Sequence, residues 1–91
     1  MDFRRNYERS RYELVDDSEV VAFADYVESA DHVLFPHTVV TPKLRGRGLG
    51  AELVRQSLDD VRASGRRVVA TCWYVADFID ANPAYHDLKA G

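Results

Sequence analysis

Cysteine is almost missing from this sequence: Cys72 stands alone, so no disulfide can form within the chain. Histidine is scarce too, and three scattered residues with one thiol are too few for a structural zinc site. No apolar run approaches the roughly 18 residues of a membrane-crossing helix. Met1-Asp2-Phe3-Arg4-Arg5-Asn6 lacks the apolar core of a secretory leader. Basic residues are outnumbered 12 to 15, and the net charge of -3 argues against a dedicated nucleic-acid binder, whose phosphate contacts need clustered Lys and Arg. These absences lead to the expectation of a cytoplasmic protein that works without a metal, a membrane or a nucleic acid.

What is present is an ordinary globular composition, 46% hydrophobic and 30% charged, which favours neither disorder nor a membrane class. Its 91 residues suffice for a single domain, 1–91, with one core and no second lobe. Internal repeats and low-complexity segments are lacking.

Arg11 to Val15 and Glu19 to Val27 read as an antiparallel hairpin around the acidic turn Asp16-Asp17-Ser18. His32 to Val40 is again extended, with Val33, Phe35, His37 and Val39 on one face and Leu34, Thr38 and Val40 on the other. Both faces are mostly apolar, as in a central strand. Pro36 cannot donate a ladder bond, so a bulge or lost pairing is expected beside His37. Leu49, Leu53, Val54, Leu58 and Val61 recur at helical spacing over Arg47 to Ser64, and Gly65 suits the helix stop. Arg67 to Tyr74 then reads as a buried strand, which predicts a right-handed parallel crossover. Val75 to Ala81 reads as a short helix ended by Asn82-Pro83, with one further turn over Tyr85 to Leu88. The fold class is therefore α/β (α+β): a mixed sheet of about four strands, one long helix and a short C-terminal one. Arg4, Arg5, Arg9 and Arg11 read as a solvated basic run. The acidic Asp16, Asp17 and Glu19 could attract a cationic amine.

Three of the five glycines, Gly46, Gly48 and Gly50, fall where the third strand gives way to the longest helix. Glycine lets a ligand approach the backbone, and the first N–H groups of a helix have no intrahelical partner. An anion suits those donors, and Arg45 and Arg47 add positive charge beside them. A pyrophosphate fits better than a single carboxylate, with Lys43 or Arg47 in reach of a terminal phosphate. Neither a P-loop nor a dinucleotide fingerprint is present. A turn that simply needs glycine, and a nucleotide-phosphate module, stay open on these residues alone.

Arg45-x-x-Gly48-x-Gly50, preceded by Val39-Val40-Thr41-Pro42 and followed by an amphipathic helix, resembles the acyl-CoA-binding motif of the GNAT superfamily of N-acetyltransferases. The strings from His37 to Gly48, from Thr71 to Val75 and from Asn82 to Tyr85 look like a minimal single-domain subgroup of it. The resemblance implies a mixed sheet with two splayed central strands and acetyl-CoA wedged between them. The pyrophosphate would rest on Arg45, Gly46, Arg47, Gly48, Leu49 and Gly50, with Val39, Val40, Asn82 and Tyr85 as further cofactor contacts. It also implies catalytic roles for His37 and Cys72, the positions at which the subgroup carries its suspected catalytic pair.

The chemistry fits those residue types: an amine must lose its proton before it attacks a thioester, and the leaving thiolate must gain one, or else a side chain must carry the acyl group. His37 suits the base, Cys72 an acyl carrier, and Tyr74 or Tyr85 a thiolate proton donor. Taken alone, Cys72 reads as an inert core thiol before anything else, and His37 as a partly buried, satisfied structural imidazole. Many relatives carry a glutamate two residues after the histidine, where this chain has Val39. The expected function is transfer of an acetyl group to a small amine or a protein lysine, by direct attack as is usual in GNAT enzymes. The alternative is a non-catalytic acyl-CoA-binding or sensing module. Monomer and homodimer are both left open.

Overall fold

The computed structural model describes residues 1–90. Five strands lie in sequence order in one mixed sheet: β1 (Asp2–Asn6), β2 (Arg11–Asp16), β3 (Glu19–Glu28), β4 (His32–Val40) and β5 (Arg67–Ala70). β1 to β4 pair antiparallel. β5 pairs parallel to β4 after a crossover through a 3-10 turn, Pro42–Leu44, and helix α1, Leu49–Ala63. Helix α2, Trp73–Ala81, and a 3-10 segment, Pro83–Leu88, complete the chain.

The expected hairpin forms around a two-residue loop. Asp16 pairs with Glu19, and Asp17 and Ser18 take φ of 48° and 67°. Positive φ at both central residues is what a type I′ turn requires to match the twist of its strands.

β1 corrects the reading of the N-terminal arginines as a solvated run. Arg4 stands directly opposite Glu13 across the β1–β2 pair, and Arg11 lies two residues along on the same face. Glu13 accepts from Arg4 and Arg11 at 2.6 Å each and from Asn6 at 3.2 Å, with its side chain fully covered. Arg5 points to the other face, where its Nε donates to Tyr26 Oη at 2.9 Å and its guanidinium meets Glu28 and Asp60. Tyr12 Oη donates to the same Asp60 carboxylate at 2.7 Å. Charge that looked free is the stitching that joins the edge strand to β2, β3 and α1.

α1 lays Leu53, Val54, Leu58 and Val61, each at most 1% exposed, against Tyr12, Leu14, Ala22, Ala24, Tyr26, Val33 and Phe35 of the sheet. Burying four such side chains contributes about 1.5–3 kcal/mol apiece. The small Ala22 and Ala24 on β3 leave room for the helix to sit close. The helix starts at Leu49 rather than Arg47, because Gly46 and Gly48 take left-handed φ of 84° and 75° just before it.

Pro36 produces the expected irregularity, and its effect is larger than a local gap. Asp25 pairs with His37 but Val27 pairs with Leu34, so β4 carries one extra residue between them. The extra residue reverses the alternation. Phe35 and then Thr38 and Val40, opposite Ala24 and Ala22, face the helices, while Leu34, His37 and Val39 face the open side. The expectation that Val33, Phe35, His37 and Val39 share a face therefore holds only as far as Phe35; a period of two cannot pass through a bulge unchanged.

Candidate functional site

Beyond the Phe35–Ala70 pair the two parallel strands part. β4 continues beside β3 to Val40, whereas the other chain turns away. Cys72 N–H still donates to Phe35 O at 2.9 Å, but Cys72 O accepts from Ala76 N–H at 3.1 Å and so opens α2 instead of extending the ladder. The expected strand from Arg67 to Tyr74 thus stops at Ala70, and Trp73 and Tyr74 lie in the first turn of a helix. Tyr74–Phe78 and Val75–Ile79 at four-residue spacing carried that signal, masked by the β-branched run before them.

The parting leaves a cleft of about 730 Å3. One wall is Pro36, His37, Thr38 and Val40, the other runs from Thr71 to Tyr74, and the base is the turn from Leu44 to Gly50. At its apex Cys72, 9% exposed, directs its thiol to Thr38 Oγ1 at 3.6 Å.

The turn has the form that an anion needs. Among the described residues, no backbone N–H from Gly48 to Ala51 donates to a protein acceptor. A β-carbon at Gly46 or Gly48 would meet nothing within 4 Å, so the space above the loop is open and only the positive φ demands glycine. Gly50 differs: a β-carbon there would lie 2.5 Å from Tyr74 Oη, which places that hydroxyl over the first turn of α1. Lys43, Arg45 and Arg47 are exposed and join no ion pair among the described residues. Free donors, open space and unpaired cations coincide at one end of the cleft, and this fits a pyrophosphate.

His37, Cys72, Val40, Arg45, Gly46, Gly48, Leu49 and Gly50 all border the cleft. Arg47 stands on the turn outside that lining, and Val39 faces the open side opposite Phe23. Asn82 and Tyr85 lie elsewhere. Asn82 Nδ2 donates to Phe78 O at 2.7 Å, and Tyr85 Oη donates to Asp59 at 2.8 Å on the outer side of α1. Burial and that bond to Asp59 raise the Tyr85 phenol above its ordinary range, which makes it a poorer proton donor. His37 leans edge-on toward Phe23, with ring centroids 6.4 Å apart, and the carboxylate directly opposite it on β3 is Asp25. Sequence reasoning gave no site role to Thr38 or Trp73. Both emerge only from the bulge and the early start of α2.

A family model described as GCN5-related N-acetyl-transferase matches residues 11–88. Protein NATD1 of Bos taurus is 40% identical over 47 residues, which are 52% of this chain and 42% of that protein. The match therefore spans under half the length of that relative. A GCN5-like candidate N-acetyltransferase from Staphylococcus aureus, solved in solution, superposes with a TM-score of 0.74 at 19% identity, over 99% of this chain and 88% of that one. The ribosomal-protein-S18-alanine N-acetyltransferase from Escherichia coli superposes with a TM-score of 0.69 at 18% identity, over 85% and 54% of the two chains. At such identities the two structures establish a common fold.

Proposed function

Since this chain belongs to the GCN5-related N-acetyltransferase family, we propose that it binds acetyl-CoA in the cleft and transfers the acetyl group to a primary amine. The observation that carries the reading is the cleft's construction: unpartnered donors and free cations at its base, and His37 and Cys72 on its two walls. When bound, acetyl-CoA supplies the thioester carbonyl.

In the direct route, His37 takes one proton from the acceptor's ammonium group, which frees the lone pair that forms the new N–C bond. The C–S bond breaks as that bond forms. Tyr74, whose hydroxyl overlies the first turn of α1, gives its proton to the departing thiolate and regains one from the acylated nitrogen. Cys72, with its thiol directed to Thr38 and a main-chain bond to Phe35, holds the apex at which the two walls meet.

Calorimetry with acetyl-CoA, followed by thiol release over a panel of alkylamines and lysine peptides, tests the reading. Binding and turnover are both expected, and absence of binding overturns it. His37→Ala is expected to lower kcat about a hundredfold with acetyl-CoA affinity within about twofold; equal rates for variant and wild type remove the base role. Cys72→Ala is expected to keep most of the activity, whereas its inactivation with trapped acyl-enzyme in the wild type would establish the acyl-cysteine route.

A second reading, an acyl-CoA-binding module without transfer, draws on Val39. It packs beside Phe23 and leaves no carboxylate at that position of the histidine's own strand. Binding without thiol release for any amine would support it.

A further inference from the structure

Trp73 is the only tryptophan of the chain. It stands in the wall of the cleft yet is 72% exposed, and it takes no part in the hydrophobic core. Burial of an indole is among the largest apolar gains open to a small protein, so leaving it in water at the mouth of a cleft forgoes stability. Its neighbour fixes it in place: Trp73 and Tyr74 meet edge to face, with ring centroids 5.6 Å apart, and Tyr74 is itself seated against Gly50.

The charges around the cleft are sorted. Lys43, Arg45 and Arg47 all belong to the turn at its base, and Arg45 is the only Lys or Arg among the lining residues. Two carboxylates stand next to lining residues, outside the lining itself. Asp77 follows Trp73 by one turn on the same face of α2, exposed, and Asp25 stands across from His37. Neither forms an ion pair among the described residues. The turn is built for anionic phosphate. The wall beside it offers an exposed indole with Asp77 one helical turn away, a combination that attracts an organic cation.

We propose that Trp73 is the acceptor platform: the substrate arrives as a primary alkylammonium ion, held over the indole and drawn by Asp25 and Asp77, and His37 then removes its proton. This proposal rests on the acetyltransferase reading and adds the acceptor's class and a residue that selects it. Attraction to an indole favours a charged amine over a neutral isostere of the same shape, which ordinary apolar contact would not.

The single tryptophan makes the test direct, because all indole emission reports this position. The wild-type protein, saturated with CoA, is titrated with a blocked tripeptide bearing a central lysine and with its norleucine counterpart. Butylammonium and 1-butanol form a second pair. Saturable change in emission with a cationic member and none with its neutral partner is expected. A response to the tripeptide alone assigns a protein lysine, and a response to butylammonium alone assigns a small amine. Equal response to charged and neutral members, or no response to any, overturns the proposal.

In turnover, Trp73→Leu is expected to raise the acceptor KM about fivefold or more, with kcat and acetyl-CoA affinity within about twofold, and Trp73→Phe to restore part of the loss. An unchanged acceptor KM in Trp73→Leu sinks this proposal and leaves the acetyltransferase reading intact. Failure of acetyl-CoA to bind the wild type sinks that reading itself.

Discussion

Glu13 shows how far a single residue's setting departs from its type. Burial on its own would raise the pKa of this carboxyl, but the bonds from Arg4, Arg11 and Asn6 outweigh burial and hold it below the ordinary carboxylate range. Its folded pKa is thus lower than its unfolded one. The stability it contributes is present above the unfolded value near pH 4.5 and is lost as pH falls through the folded value. Glu13→Ala is expected to destabilise the fold by about 2–3 kcal/mol and to flatten the acid limb of a stability-against-pH curve; urea melts between about pH 3 and pH 7 would show both. A variant that loses stability equally at every pH would contradict the assignment. The candidate residues themselves were legible in the sequence, since His37, Cys72 and the glycines each sit in a recognisable string. The side of the sheet on which His37 lies was not, because one inserted residue at Pro36 reverses everything after it.

At the scale of elements, the β2–β3 hairpin and α1 were readable because each repeats its signal over many residues. The boundary between β5 and α2 was not. Val68 to Thr71 favours extension, and only the carbonyl of Cys72, turning from Phe35's strand to Ala76, decides where the helix begins. The hairpin turn still carries two side chains at positive φ. Asp17→Asn combined with Ser18→Gly is expected to stabilise the protein by about 0.5–1 kcal/mol, raising its melting temperature by about 4 °C; a lower melting temperature would mean the turn is not of the primed type. The junction of α1 with α2 offers a further check. Gly50→Ala must push Tyr74 aside. Gly50→Ala and Tyr74→Phe are each expected to reduce kcat about tenfold, and the double variant no further than either alone. Additive losses in kcat would separate the two residues.

For the molecule as a whole, the edge strand was the part the sequence concealed. Asp2 to Asn6 has the charge of a solvated tail, and it becomes a strand through partners nine and more residues away: Glu13, Tyr26, Glu28 and Asp60. Ligand binding should act on this same global equilibrium. Under the proposed function, CoA at about a hundred times its Kd is expected to add about 2.7 kcal/mol and to raise the melting temperature by about 10 °C or more, and no shift at saturating CoA would weigh against a preformed site. The bulge at Pro36 carries an evolutionary consequence. Because it inverts the facing of every β4 residue after it, Thr38 and Val40 pack on the helix side while His37 and Val39 face the open side. A one-residue deletion at the bulge would exchange the two sets of side chains in a single mutational step.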